Sequence, residues 1–62
     1  MNNTERDSRI AELKKHRTSM LTSLARDIEY ALKHEDIQFA APAINIFSNL
    51  IQCETSIRTL AD

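Results

Sequence analysis

The chain has 62 residues, of which 42% are hydrophobic and 27% charged, with a formal net charge of −1. This length allows one small domain at most, and the hydrophobic content argues against a wholly disordered chain. The lack of glycine excludes glycine-rich phosphate loops, and the slightly negative charge argues against a protein whose main task is to neutralise phosphate.

The first predicted element is a long helix over residues 5–34, preceded by a frayed segment at residues 1–4. Its apolar residues recur at steps of three and four, which is the period of one helical face, and nothing within it breaks a helix. Thr4 followed by Asp7 three residues later forms a weak capping box at its start. Helix 1 is therefore predicted to be roughly 30 residues long, or about 45 Å.

Pro42 divides the rest of the chain, because proline is favoured at the first position of a helix and costly in its interior. The residue before a proline is pushed towards an extended backbone. Ile37 and Phe39 alternate with a polar residue, so we predict a short extended connector over residues 35–41. A lone strand needs a partner, which the same segment of a second copy would supply. The alternative is a helix that begins at Asp36 and kinks at the proline.

The second helix is predicted over residues 42–61, with two adjacent apolar rows. Two rows form a wider buried face than one neighbouring helix covers, so another chain is expected to cover the remainder. The predicted fold is therefore all-α: a two-helix hairpin with a short extended connector, stable only as an intertwined homodimer. A chain this small commonly needs such assembly.

Eight apolar residues are the candidate contacts for the second copy or for a protein partner. Ile10 and Leu13 belong to the part of helix 1 that a shorter helix 2 would not reach. There they would fray, pack on a second subunit or line an apolar groove for a partner's amphipathic helix. The complete set is Ile10, Leu13, Ile37, Phe39, Ile44, Phe47, Leu50 and Ile51.

No residue pattern indicates catalysis, a cofactor or a metal. Cys53 has no second cysteine to pair with, and it lies in an apolar row, where cysteine acts as a small hydrophobe. The tripeptide His34-Glu35-Asp36 has metal-ligand residue types but cannot surround a metal by itself. We expect a non-enzymatic protein without a cofactor.

Lys14, Lys15 and Arg17 are the candidate contacts for nucleic acid. They belong to a run of four consecutive basic residues, which wraps nearly around a helix and does not make one surface. A solvated helix segment is the simpler interpretation, and nucleic-acid binding is the alternative function.

The uncharged run Ile37–Cys53 has 17 residues, the lower limit for a membrane span. It contains polar residues and is split at Pro42, so we expect it to be buried by protein and not by a membrane. The polar N-terminal sequence and the single cysteine favour a cytoplasmic location.

The stretch SLARDIEYALKHEDIQFAAPAINIFSNLI, residues 23–51, lies in a short, glycine-free chain with a polar start. In this character the chain resembles the small early proteins of lambdoid temperate phages. The resemblance implies a protein of the host cytoplasm that influences the lytic or lysogenic course of infection, and it assigns no functional residue. In size and plan, a dimer of two-helix chains also resembles the RNA-binding Rop protein. The expected function is a small interaction protein that dimerises and modulates a regulatory protein, with a Rop-like nucleic-acid-binding dimer as the alternative.

Overall fold

A computed structural model describes residues 3–62, and this part of the chain folds as a helical hairpin. Helix α1 spans Asn3–His34, a 3-10 turn spans Ile37–Ala40, and helix α2 spans Ala43–Ala61. The two helices pack side by side in a rod whose Cα extents are 49 × 14 × 12 Å. The predicted all-α hairpin is confirmed, and both predicted helix C-termini agree with the structure.

Helix α1 begins earlier than the sequence predicted. Asn3 and Thr4 are helical, so the prediction that they are frayed is wrong. Thr4 therefore lies inside the first turn of the helix and not at its cap. Met1 and Asn2, which the same prediction included, lie outside the described residues.

The connector is helical, so the prediction of an extended segment is wrong. Only Asp36 has an extended backbone, with φ −139° and ψ 111°, and its carboxylate accepts a hydrogen bond from the Gln38 amide at 2.9 Å. This contact caps the 3-10 turn that follows, because it satisfies an amide that has no partner within the turn. The predicted pairing of extended connectors between two copies therefore has no strand to build on.

The residues around the proline also differ from the prediction. Ala41 is helical, with φ −55° and ψ −41°, although it precedes proline. Pro42 caps α2, which begins one residue later than predicted, at Ala43. The Ala41 amide donates to the Gln38 carbonyl at 3.1 Å, and the Ile44 amide donates to the Ala41 carbonyl at 3.2 Å. These bonds link the 3-10 turn to α2 and hold the helical backbone before the proline.

The chain reverses direction at Glu35, whose φ of 52° lies in the left-handed region. The Asp36 amide donates to the Ala31 carbonyl at 3.1 Å, and the Glu35 amide donates to the Leu32 carbonyl at 3.3 Å. This pair of bonds is the Schellman motif that ends many helices, usually with glycine at the left-handed position. A chain without glycine uses glutamate there instead.

The core of the hairpin is thin. Leu13, Cys53 and Ile57 form its centre, and Ile10 and Leu60 are among the partly buried residues packed against it. None of the described side chains is completely buried. The buried hydrophobic residues are Leu13, Ala31, Ala43, Leu50, Cys53 and Ile57.

Leu13 and Leu50 are buried within the chain itself, at 9% and 8% exposure. They therefore expose little surface of their own, although Leu50 lines the hollow between the helices. That they contact another chain stays a prediction. The prediction that Ile10 lies beyond the reach of the second helix is wrong. The compact connector brings the start of α2 close to the end of α1, so the 19 residues of α2 extend back as far as Ile10.

Candidate interaction surface

One side of the hairpin exposes large hydrophobic side chains from α1, the 3-10 turn and α2. Their exposures range from 49% to 82%. In α1 the exposed positions are separated by seven and four residues, and in α2 by three and four, so each set lies along one helical face. We call these seven residues the apolar face: Leu21, Ile28, Leu32, Ile37, Ile44, Phe47 and Ile51.

The apolar face contains three hollows that run along the hairpin. The first lies between the helices, where Leu21 faces Phe47 and Ile51. The second lies between the end of α1 and the 3-10 turn, and the third lies between that turn and the start of α2. Ile37 and Ala40 line both of these, so the apolar surface continues from one helix to the other.

Charged residues lie at both ends of the apolar face. Glu35 and Asp36 line the hollow at the connector end. Arg17 and Glu54 line the hollow at the opposite end. The surface is thus an uncharged strip with carboxylates at one end and a mixed pair at the other.

The pair at the far end is an ion pair between the helices. Arg17 Nη1 donates to Glu54 Oε2 at 2.6 Å, and Arg58 Nε lies 3.6 Å from Glu54 Oε1. The hydrogen bond from Arg17 is the largest cause that lowers the pKa of Glu54, and the charges of both arginines add to it. Partial burial acts in the opposite direction but does not outweigh them.

Of the eight predicted contact residues, four lie on the apolar face: Ile37, Ile44, Phe47 and Ile51. Leu21, Ile28 and Leu32 also lie on the apolar face, but they are not among the residues predicted from the sequence. The available signal was their angular offset from the buried row: around the helix, Ile28 lies about 60° and Leu32 about 100° from Ala31.

Phe39, the remaining exposed candidate, belongs to an aromatic cluster with Tyr30 and His34. Its ring centroid lies 5.0 Å from that of Tyr30 in an edge-to-face arrangement and 5.1 Å from that of His34. Tyr30 is two residues from both Ile28 and Leu32, which places it about 160° away around α1. The cluster is therefore separate from the apolar face.

The candidate nucleic-acid contacts do not form one basic surface. Lys14 and Lys15 are exposed. Arg17 is directed to Glu54 and is only 33% exposed. Consecutive residues are about 100° apart around a helix, so Lys14 and Lys15 also point in different directions.

Cys53 is buried in the core, where its thiol donates to the Leu13 carbonyl at 3.3 Å. Within residues 3–62, no three His, Cys, Asp or Glu residues are grouped so that they could hold a metal ion. In the same part of the chain, no helix is both long and apolar enough to cross a bilayer.

No protein-family model, curated protein or solved structure matches the chain. The surface of the hairpin is therefore the basis for the proposals that follow.

Proposed function

We propose that this chain is a small, non-enzymatic interaction protein that forms a homodimer and modulates a regulatory partner protein. The apolar face is the observation that carries the proposal. Soluble monomers rarely expose contiguous apolar patches of more than a few hundred Å², and larger patches mark sites where other molecules bind. On one side of this 62-residue chain, seven large hydrophobic side chains are each about half exposed or more.

The layout of the apolar face suits contact with helices of another chain. Its side chains project from two neighbouring helices and leave hollows between them, as at Leu21, Phe47 and Ile51. Apolar side chains of a facing helix, spaced three or four residues apart, fill hollows of this kind. Aromatic residues are prominent among the side chains that dominate binding energy, which makes Phe47 the expected centre of the contact.

The non-enzymatic role is supported by what the reactive groups do in the fold. Both arginines near Glu54 stabilise its charged form, which makes it a poor proton donor at neutral pH. The Cys53 thiol is buried against a backbone carbonyl and is not presented to a substrate.

The resemblance to early proteins of lambdoid phages supports a specific setting for the partner. In that setting the partner is a host or phage regulator, and binding alters the balance between lysis and lysogeny. The test is to produce the protein in a bacterial lysogen of a lambdoid phage and to count the phage released after induction.

The wild-type protein is expected to change the phage yield several-fold. Phe47→Ser is expected to remove the effect, because it removes the largest side chain of the apolar face. Ser19→Ala, at an exposed position two residues and about 160° from Leu21, is the matched control and keeps the effect. Immunoblots establish equal amounts of all three proteins. An unchanged yield with abundant wild-type protein would overturn the proposed role in lytic development.

A further inference from the structure

We propose that the apolar face is the homodimer interface, and that the second copy packs on it in the antiparallel direction to complete a four-helix bundle. This inference deepens the proposed function, on whose interaction surface it rests. It assigns the occupant of that surface and the relative direction of the two chains.

The surface area of the single chain supports a second copy. The accessible surface is 5004 Å². A compact folded protein of 7.1 kDa is expected to expose only about 4,100 Å². The excess of roughly 900 Å² is close to the ~800 Å² that each partner buries in a standard protein interface. An interface of standard size would therefore lower the exposed surface of each chain to about that of a compact protein of the same mass.

The arrangement of the apolar side chains favours a partner with two helices over a single docked helix. The apolar face includes Leu21 and Ile28 on α1 and Ile44 and Phe47 on α2. A second hairpin presents the same two rows, so each helix gains a neighbour and both rows are covered. Four helices packed in this way form the simplest closed bundle, with one shared core. An isologous contact of this kind is the commonest form of dimer.

The charges at the ends of the apolar face set the direction. A parallel dimer would bring Glu35 and Asp36 of both copies together, which places four carboxylates at one end. An antiparallel dimer instead brings these residues towards Arg17, Arg58 and Glu54 of the other copy. There two guanidinium groups outnumber one carboxylate, and the Arg58 side chain is 78% exposed. Like charges that meet at an interface are costly, whereas opposite charges fix the direction of association.

The first experiment measures the solution mass by sedimentation equilibrium across a wide concentration range. The wild-type chain is expected to be a dimer at low micromolar concentration. Ile51→Glu introduces a charge into the middle of the interface and is expected to shift the equilibrium to monomer. Ser19→Glu, which adds the same charge at an exposed position away from the apolar face, is expected to remain dimeric. Circular dichroism of each sample shows whether a loss of mass accompanies a loss of helix.

The second experiment determines the direction by disulfide formation in the full chain. Cys53→Ala removes the native thiol, and sedimentation first confirms that this background is dimeric. Leu21→Cys and Leu32→Cys are then made separately in it, at opposite ends of the apolar face. The two positions are 11 residues apart, or about 16 Å along a helix. A thiol of the other copy that is close enough to one position for a disulfide is therefore too far from the other position.

An antiparallel dimer brings position 21 of one copy close to position 32 of the other. A mixture of the two variants is therefore expected to form the mixed disulfide, identified by mass, several-fold faster than either variant alone forms its own. A mixed disulfide that forms no faster than the disulfides between identical chains would overturn the proposed direction. A wild-type dimer that persists in Ile51→Glu would overturn the proposed interface.

These outcomes are separate from a failure of the proposed regulatory role. An antiparallel dimer without effect on phage yield would contradict the regulatory role and leave the interface standing. A monomeric wild-type chain that still changes the phage yield would overturn the inference. In that case the apolar face is free for the regulatory protein itself.

Discussion

The thiol of Cys53 donates a hydrogen bond to the carbonyl oxygen of Leu13, with sulfur and oxygen 3.3 Å apart, although the two residues are separated by 40 positions in sequence. Both residues belong to the centre of the thin core. The contact joins the two helices at a point where few other side chains are buried. The lone cysteine is thus part of the packing of the hairpin.

We predict that Cys53 reacts slowly with thiol reagents in the folded protein. Cys53 is only 6% exposed, so a reagent reaches its sulfur only when the helices separate. The control is the exposed thiol of Ser19→Cys in a Cys53→Ala background, which is expected to react at the rate of an unfolded peptide. Denaturant is expected to bring the two rates together. Equal rates without denaturant would contradict burial of Cys53.

A second prediction concerns the pH dependence that Glu54 contributes. Arg17, through its hydrogen bond above all, and the charge of Arg58 lower the pKa of Glu54 in the folded chain. A lowered folded-state pKa contributes stability above the ordinary glutamate pKa, and this stability is lost as the pH falls through the lowered value. The Tm of the wild type is therefore expected to exceed that of Glu54→Gln at neutral pH. The difference shrinks on acidification and vanishes below the lowered pKa.

The arginine variants assign the cause of this pH dependence. In an Arg17→Ala background, most of the Tm difference between the chain with Glu54 and the chain with Glu54→Gln is expected to disappear, because Arg17 supplies the largest stabilising contact. Arg58→Ala is expected to remove less, since its charge and hydrogen bond act more weakly on Glu54. All Tm values are measured at one protein concentration, because association raises apparent stability. A larger effect of Arg58→Ala would contradict the geometry of the pair.

A third prediction follows from the left-handed backbone of Glu35, with its φ of 52°. A residue with a Cβ pays a steric cost there that glycine does not, so Glu35→Gly is expected to raise the free energy of unfolding by roughly 1 kcal/mol. Glu35→Ala keeps the Cβ and serves as the control, with little change expected. Urea denaturation measures both variants. A glycine variant no more stable than the alanine variant would contradict the left-handed conformation.

The two helices could be predicted from the sequence because their signals are local. Uninterrupted three- and four-residue spacing and the absence of glycine and internal proline define α1, and Pro42 marks the start of α2 to within one residue. The connector could not be predicted in the same way. Its form depends on the cap that Asp36 provides to Gln38 and on hydrogen bonds from the end of α1, which outweigh the extended preference of Ile37 and Phe39.

The position of the interaction surface was only partly predictable. Periodicity shows that a helix has an apolar side, but not the angle at which that side meets its neighbour. Leu13 and Leu50 turn inward and Leu21 and Ile28 turn outward, although all four fit an apolar stripe. Their separation depends on how α1 and α2 pack, which is a property of both helices together.

A fourth prediction tests the cap at the start of the 3-10 turn. The Asp36 carboxylate accepts from the Gln38 amide at 2.9 Å. Asp36→Ala leaves this amide without its partner and is expected to lower the free energy of unfolding by about 1 kcal/mol. Asp36→Asn retains an acceptor oxygen and is expected to lose much less. Equal losses in the two variants would show that the charge of Asp36, and not its hydrogen bond, is what matters.

The last prediction concerns the alternative function of nucleic-acid binding. Arg17 is paired with Glu54, so only Lys14 and Lys15 of the candidate contacts are free to meet phosphate. Two such contacts per chain, on a protein with a net charge of −1, are expected to give no measurable binding to duplex RNA or DNA at moderate salt. Fluorescence anisotropy of labelled duplexes measures this at low and moderate salt. The control is Lys14→Glu with Lys15→Glu, which leaves the apolar face unchanged. Binding by the wild type that falls steeply with salt and disappears in the double variant would instead favour a Rop-like role.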